Sequence, residues 1–271
     1  MVSAAAKPGT GTNRVGHMDD LEVARAAAAA AAEIIRARGS GVAEYKGAVD
    51  PVTAVDREAE AAITKVLGSH RPADGLLAEE GTGTESTSGR RWVVDPLDGT
   101  VNFLHGVPQV SVSVALEMDA EPIVGVIRDV YRDEEFTAEH GKGASLNGAP
   151  ITVSRARELS TSLVSTGFAY DRQQRAAEYT RVVTAVLRVA QGVRRLGSAA
   201  LDLAWVACGR YDGHWEVRLS PWDVAAGMLI VREAGGMVTA SDGKPASHRD
   251  IIATNGLIHE DLRRVVRGAM E

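Results

Sequence analysis

Two aspartates, Asp95 and Asp98, stand in the run Trp92-Val93-Val94-Asp95-Pro96-Leu97-Asp98-Gly99-Thr100-Val101-Asn102-Phe103. The apolar residues Trp92 to Val94 deliver Asp95 to the end of a predicted strand, and Pro96 forces a turn. Two carboxylates are thus brought close on a tight bend, beside a glycine that leaves backbone N–H groups open. Hard cations such as Mg²⁺ take carboxylate oxygens, while phosphate takes backbone N–H groups and a cation. One segment offering both points to metal-dependent phosphate chemistry. Asp-Pro and Asp-Gly are also ordinary turn dipeptides, so the reading needs other acids at the same place.

Three more acidic places qualify. Glu79-Glu80 ends the apolar run Leu76-Leu77-Ala78, and adjacent residues of a strand face opposite ways, so only one of the pair can serve a given site. A Glu-Glu pair is also ordinary solvated surface. Asp56 falls at a predicted helix start, where a carboxylate also suits the cap and the macrodipole. Asp223 lies in Ser220-Pro221-Trp222-Asp223-Val224-Ala225-Ala226-Gly227. Ser220 is a natural N-cap and Pro221 a natural first residue, which puts Asp223 at the capping-box position. The small residues behind it would let this helix end approach another segment closely.

These residues need elements to hold them. The 271 residues suffice for one large domain or two smaller ones sharing a core. Hydrophobic residues are 45 % and charged residues 24 %, ordinary values for a globular protein. A net charge of −6 and a pI near 5.7 disfavour nucleic acid as the primary ligand. The single cysteine, Cys208, excludes an internal disulfide and a Cys-rich zinc site and reads as a small core residue. Seven histidines occur without metal-ligand spacing, and His105 reads as a rim residue. The alanine-rich run 26–32 is flanked by acids and arginines, which speaks against a signal peptide. No apolar run approaches a membrane span, and a cytoplasmic enzyme is the expectation.

Residues 1–17 read as a disordered tail and 18–271 as a single catalytic domain. Within it, 18–155 reads as helices plus antiparallel strands and 156–271 as alternating α/β units. Helices are predicted over 21–38, 53–67, 176–190, 198–208, 221–234 and 259–270, and strands over 110–118, 121–130, 134–138, 162–166, 213–217 and 251–253. A Gly-rich connector, 39–51, carries Lys46, and 81–90 reads as an exposed loop.

The bend, with Glu79-Glu80 before it and Trp222 to Gly227 after it, resembles the inositol monophosphatase family. Asp50-Pro51-Val52-Thr53-Ala54-Val55-Asp56, Gly141 to Asn147 and Leu196-Gly197-Ser198-Ala199-Ala200-Leu201-Asp202 match as well. The likeness runs from about Leu21 to the end, in order. It implies a five-layer αβαβα sandwich and a Mg²⁺-dependent, lithium-sensitive phosphomonoesterase. The likeness also makes Glu79, Asp95, the Leu97 carbonyl, Asp98 and Asp223 ligands of two or three Mg²⁺ ions. Gly99 and Thr100 would offer N–H groups to phosphate, Thr100 with Asp56 would orient the attacking water together with Glu79, and Lys46 would sit in a loop over the metals. Glu80 would have a supporting role.

The resemblance implies hydrolysis of myo-inositol 1-phosphate by a metal-activated water, without a covalent enzyme intermediate. Substrate contacts would come from Ser198, Ala199 and Glu216, with Asp98 and Asp223 beside them, and Gly167 to Asp171 would line the same pocket. Many members carry Tyr-Tyr before this glutamate, whereas this chain has His214-Trp215. Relatives that cleave histidinol phosphate, fructose 1,6-bisphosphate or 3′-phosphoadenosine 5′-phosphate share the metal site, so the substrate stays open among these esters. The likeness further implies a homodimer acting on a small phosphate monoester, away from membranes. Some relatives also bind transcription machinery, which gives a second reading as a regulatory binding protein.

Overall fold

The computed structural model describes residues 18–39, 43–45 and 51–271. The expected tail, 1–17, and Lys46 lie outside the described residues. Seven α-helices are formed by the described residues: α1 (Asp20–Arg38), α2 (Ala54–His70), α3 (Thr100–Leu104), α4 (Ala176–Leu187), α5 (Ala199–Ala207), α6 (Pro221–Glu233) and α7 (His259–Met270). They alternate with an eight-stranded and a five-stranded sheet. One cluster of buried side chains joins α1 and α2 to the larger sheet, a second joins α5 and α6 to both sheets, and a third joins α4 and α7 to the smaller sheet. The result is the expected αβαβα order of five layers.

The larger sheet shows why the site lies where it does. Strand Ser111–Met118 alternates Val112, Val114 and Leu116 toward α1 and α2 with Ser111, Ser113 and Ala115 toward α5 and α6. The second set is small, so α6 can approach closely. A side chain at Gly125, on the neighbouring strand Glu121–Asp129, would meet the Ala226 carbonyl at 2.9 Å. Ser113 Oγ donates to the Trp222 carbonyl at 3.2 Å, which docks the start of α6 against the sheet. Helix α5 is buried at every residue except Trp205, as a helix between two sheets must be.

The bend at Pro96 differs from the simple turn expected. Strand Arg90–Asp98 runs through it, and pairing with Ser111–Met118 shifts register between Asp95 and Asp98. A bulge there removes the ladder bond that proline cannot make and re-aims the neighbouring side chains. The short α3 follows at once, where no separate helix was expected. Within the loop read for 81–90, Gly83–Thr84 forms a short strand beside Gly75–Ala78. Strand Gly75–Ala78 in turn pairs parallel to Arg90–Asp98, so the first half is not purely antiparallel. In the smaller sheet, Gly192–Arg194 and Met237–Thr239 are further strands absent from the expected set. Cys208 is half-buried and packs against the edge of the second cluster, and burial raises its thiol pKa.

Candidate active site

Asp56 is placed by its own helix start. Thr53 is the N-cap of α2, and Asp56, three residues on, completes the capping box. Asp56 Oδ2 accepts from the Thr53 backbone N–H at 2.9 Å and from the Thr53 hydroxyl. Its other oxygen, Oδ1, accepts from Thr100 Oγ1 at 3.2 Å. One carboxylate therefore caps a helix and also orients a hydroxyl of α3. The Thr100 hydroxyl also lies 3.2 Å from the Leu97 carbonyl.

Asp95 and Asp98 flank the bulge and are buried. Asp95 Oδ1 accepts from the Leu97 N–H at 2.9 Å, closing the bend on itself. Asp98 Oδ2 accepts from Ser198 Oγ at 2.6 Å, the Ala200 N–H at 2.9 Å and Ser111 Oγ at 3.3 Å. The Ser198 hydroxyl, which also caps α5 at Leu201, is thus turned inward to Asp98. Asp223 Oδ2 accepts from the Ser220 N–H at 2.7 Å, the capping box expected for α6. Glu79 is half-buried where strand Gly75–Ala78 ends.

Glu79, Asp95, Leu97, Asp98, Gly99, Thr100, Ser198, Ala199, Glu216 and Asp223 all line one cavity of about 390 Å³. Gly167, Phe168, Ala169 and Tyr170 close another side, as expected. Asp171 turns away to the Tyr179 hydroxyl at 2.6 Å and to Arg175 at 3.0 Å. Asp56 lies behind Thr100 and reaches the cavity through it. His105 is exposed.

The acids repel one another. Burial, and then Glu79, Asp98 and Asp223, hold the Asp95 carboxyl well above the usual range, and Glu79 is close enough to hydrogen-bond it. Burial also raises Asp98, against the donors from Ser198, Ala200 and Ser111. Glu216 is pushed up to about 8 by burial and then by Asp223. The charged neighbours that raise Asp95, namely Glu79, Asp98 and Asp223, are carboxylates. Buried hard oxygen donors of one sign suit a hard divalent cation. Among the described residues no three Asp, Glu, His or Cys side chains already stand as one ion's ligand sphere. The wall supplies the donor chemistry in an open arrangement.

Two supporting residues escaped sequence reasoning. Glu60 of α2 is buried and accepts from the Glu80 N–H at 2.7 Å and the Thr82 N–H at 3.1 Å, which holds the turn behind Glu79. Its only sequence signal is an acid on the apolar face of α2. Asn102 Nδ2 donates to the Gln109 carbonyl at 2.9 Å and the Leu196 carbonyl at 2.8 Å. That amide ties α3 to the segment leading into α5, and nothing local in the sequence marks it.

The inositol monophosphatase family model matches residues 18–271. An inositol-1-monophosphatase of Synechocystis is 45 % identical over 252 residues, covering 91 % of this chain and 88 % of that one. A protein of Xylella fastidiosa called Nus factor SuhB is 43 % identical over 229 residues, covering 82 % of this chain and 83 % of that one. The structure of inositol monophosphatase from Anabaena (Nostoc) superposes with a TM-score of 0.82 at 42 % identity, covering 92 % of this chain and 95 % of that one. Family match, relatives and the αβαβα layering agree: the chain belongs to the inositol monophosphatase family.

Proposed function

We propose that the chain is a Mg²⁺-dependent phosphomonoesterase that releases inositol from myo-inositol 1-phosphate. One observation carries this reading: Glu79, Asp95, Asp98 and Asp223, from three separated segments, line the same cavity as Thr100, whose hydroxyl is held by Asp56. Glu79, Asp95, Asp98, Asp223 and the Leu97 carbonyl would hold the metal. Magnesium, when bound, supplies charge that stabilises the phosphoryl oxygens and the leaving oxygen and lowers the pKa of water.

The chain's own groups do the rest. Thr100 donates its proton to Asp56, so its oxygen lone pairs face the cavity as acceptors for an attacking water. Glu79 is the second acceptor, and the two fix the direction of attack. The N–H groups of Gly99 and Thr100 bind the phosphate. Glu216 accepts from hydroxyls of the leaving alcohol, with the Ser198 and Ala199 backbone beside it. A homodimer in the cytoplasm and inhibition by Li⁺ belong to the same reading.

Turnover of myo-inositol 1-phosphate, histidinol phosphate, fructose 1,6-bisphosphate and 3′-phosphoadenosine 5′-phosphate, with Mg²⁺ and with EDTA, tests it. The highest kcat/KM is expected for the inositol ester, with loss in EDTA and in Li⁺. Preference for histidinol phosphate would overturn the substrate assignment, and turnover that survives EDTA would overturn the metal. A second reading, a regulatory partner of transcription complexes, is favoured by the name of the Xylella relative. A cellular phenotype kept by an inactive Asp95→Asn chain would support it. Light scattering tests the dimer.

A further inference from the structure

Beside Glu216 at the cavity wall stand two buried polar residues, Asp202 and His214, that the reading above does not use. Asp202 of α5 and His214 and Glu216 of strand Gly213–Val217 are all buried. His214 is fully buried, with Nδ1 3.0 Å from Ser165 Oγ and 3.9 Å from Asp202 Oδ2. Its Nε2 faces Glu216 Oε2 at 3.5 Å and has no hydrogen-bond partner. Asp202 lines the cavity, yet neither of its carboxyl oxygens has a hydrogen-bond partner. A buried carboxyl with both oxygens unmet is costly unless a ligand completes it. Glu216 packs directly on the Gly167 backbone, where even a methyl group would overlap Glu216 Oε1.

We propose that Asp202, His214 and Glu216 form one recognition unit for an alcohol bearing neighbouring hydroxyls, with His214 as the positioning residue between the two acids. This rests on the phosphatase reading above, which already places Glu216 on the leaving alcohol, and adds Asp202 and His214 to that contact. With the Ser165 hydroxyl donating to Nδ1, the imidazole proton sits on Nε2 and points at Glu216 Oε2. That leaves Glu216 Oε1 and the Asp202 oxygens to accept from two substrate hydroxyls. Burial lowers the His214 pKa to about 3, which keeps the ring neutral and this arrangement in place. Hydrogen bonds of this kind tighten when substrate closes the site.

The test compares myo-inositol 1-phosphate with phenyl phosphate, an ester whose alcohol carries no further hydroxyl, on the Mg²⁺-loaded protein. In His214→Phe the ratio of the two kcat/KM values is expected to fall about 10-fold toward the aryl ester, chiefly through KM for the inositol ester. His214→Gln keeps an N–H near Glu216 and should recover part of the ratio. Asp202→Asn should lower it as well, and the two latter variants decide the matter should His214→Phe not fold. Equal losses on both esters, or a ratio equal to wild type in all variants, would overturn the inference while leaving the phosphatase reading intact. A wild-type chain that cleaves neither ester overturns both.

Discussion

The hydroxyl of Thr100 meets the carboxyl of Asp56 at 3.2 Å across 44 residues of chain. The second oxygen of Asp56 is committed to Thr53, so the carboxyl cannot rotate away. Asp56→Asn would keep an acceptor but lose the charge that polarises the Thr100 hydroxyl. Turnover is expected to fall about 100-fold or more, the scale of lost base and orienting groups. Stability should drop by only about 1 kcal/mol, from the weakened cap. Single-turnover rates and urea unfolding of the same variant separate the two effects.

Burial and three other acids hold the Asp95 carboxyl well above its usual range. Its folded pKa lies above the unfolded one. Its contribution to stability is therefore present at low pH and is lost as pH rises through the folded value. Metal-free protein should then gain Tm in Asp95→Asn at neutral pH, while turnover disappears. Millimolar Mg²⁺ should raise the Tm of wild type and not of the variant. A thermal melt in EDTA and in Mg²⁺ checks both signs.

Gly99 has φ of +97°, and a side chain there would meet the Gln109 carbonyl at 2.7 Å. Gly99→Ala should cost about 2–3 kcal/mol, from the strained backbone and the displaced loop together. Because Asp98 and Thr100 flank the position, kcat should fall with it. Circular dichroism melts and steady-state kinetics on the purified variant report the two losses.

Removing the Asn102 amide would leave the carbonyls of Gln109 and Leu196 without this donor. Asn102→Ala is expected to cost about 2 kcal/mol. The segment leading to Ser198 would loosen, so KM should rise more than kcat falls. Hydrogen exchange at the start of α5 should quicken in the variant.

His214 stays neutral when folded, with a pKa lowered to about 3 by burial, whereas unfolded chain takes up a proton below about 6.5. This depressed value makes wild type lose stability as pH falls below 6.5. Between pH 6.5 and pH 5 the loss is about 2 kcal/mol. His214→Phe lacks that dependence, so the two unfolding free energies should converge on acidification. Urea titrations of both proteins at the two pH values measure the difference.

Much of this was legible in the chain because it is local. The N-cap and first residue of α6, Ser220 and Pro221, and the capping acid Asp223 lie within four positions. The alternation Val112, Val114, Leu116 marks its strand without reference to anything distant. Less legible were Gly192–Arg194 and Met237–Thr239, which are short and become strands only through their neighbours. The bulge at Pro96 was likewise hidden, since it exists only relative to Ser111–Met118.

The sequence by itself determined which residue types could do chemistry, where the helices begin, and the family likeness that orders the acids along the chain. The tertiary structure alone decided that Glu60 holds the turn behind Glu79, that the Ser198 hydroxyl faces Asp98, and that His214 stands between Asp202 and Glu216. Caps, turns and alternation arise from forces acting over a few residues. Burial, mutual repulsion and hydrogen bonds between distant segments depend on how the layers pack. For that reason a bend of ordinary turn dipeptides became one wall of an acidic cavity only once the small face of the sheet admitted α6.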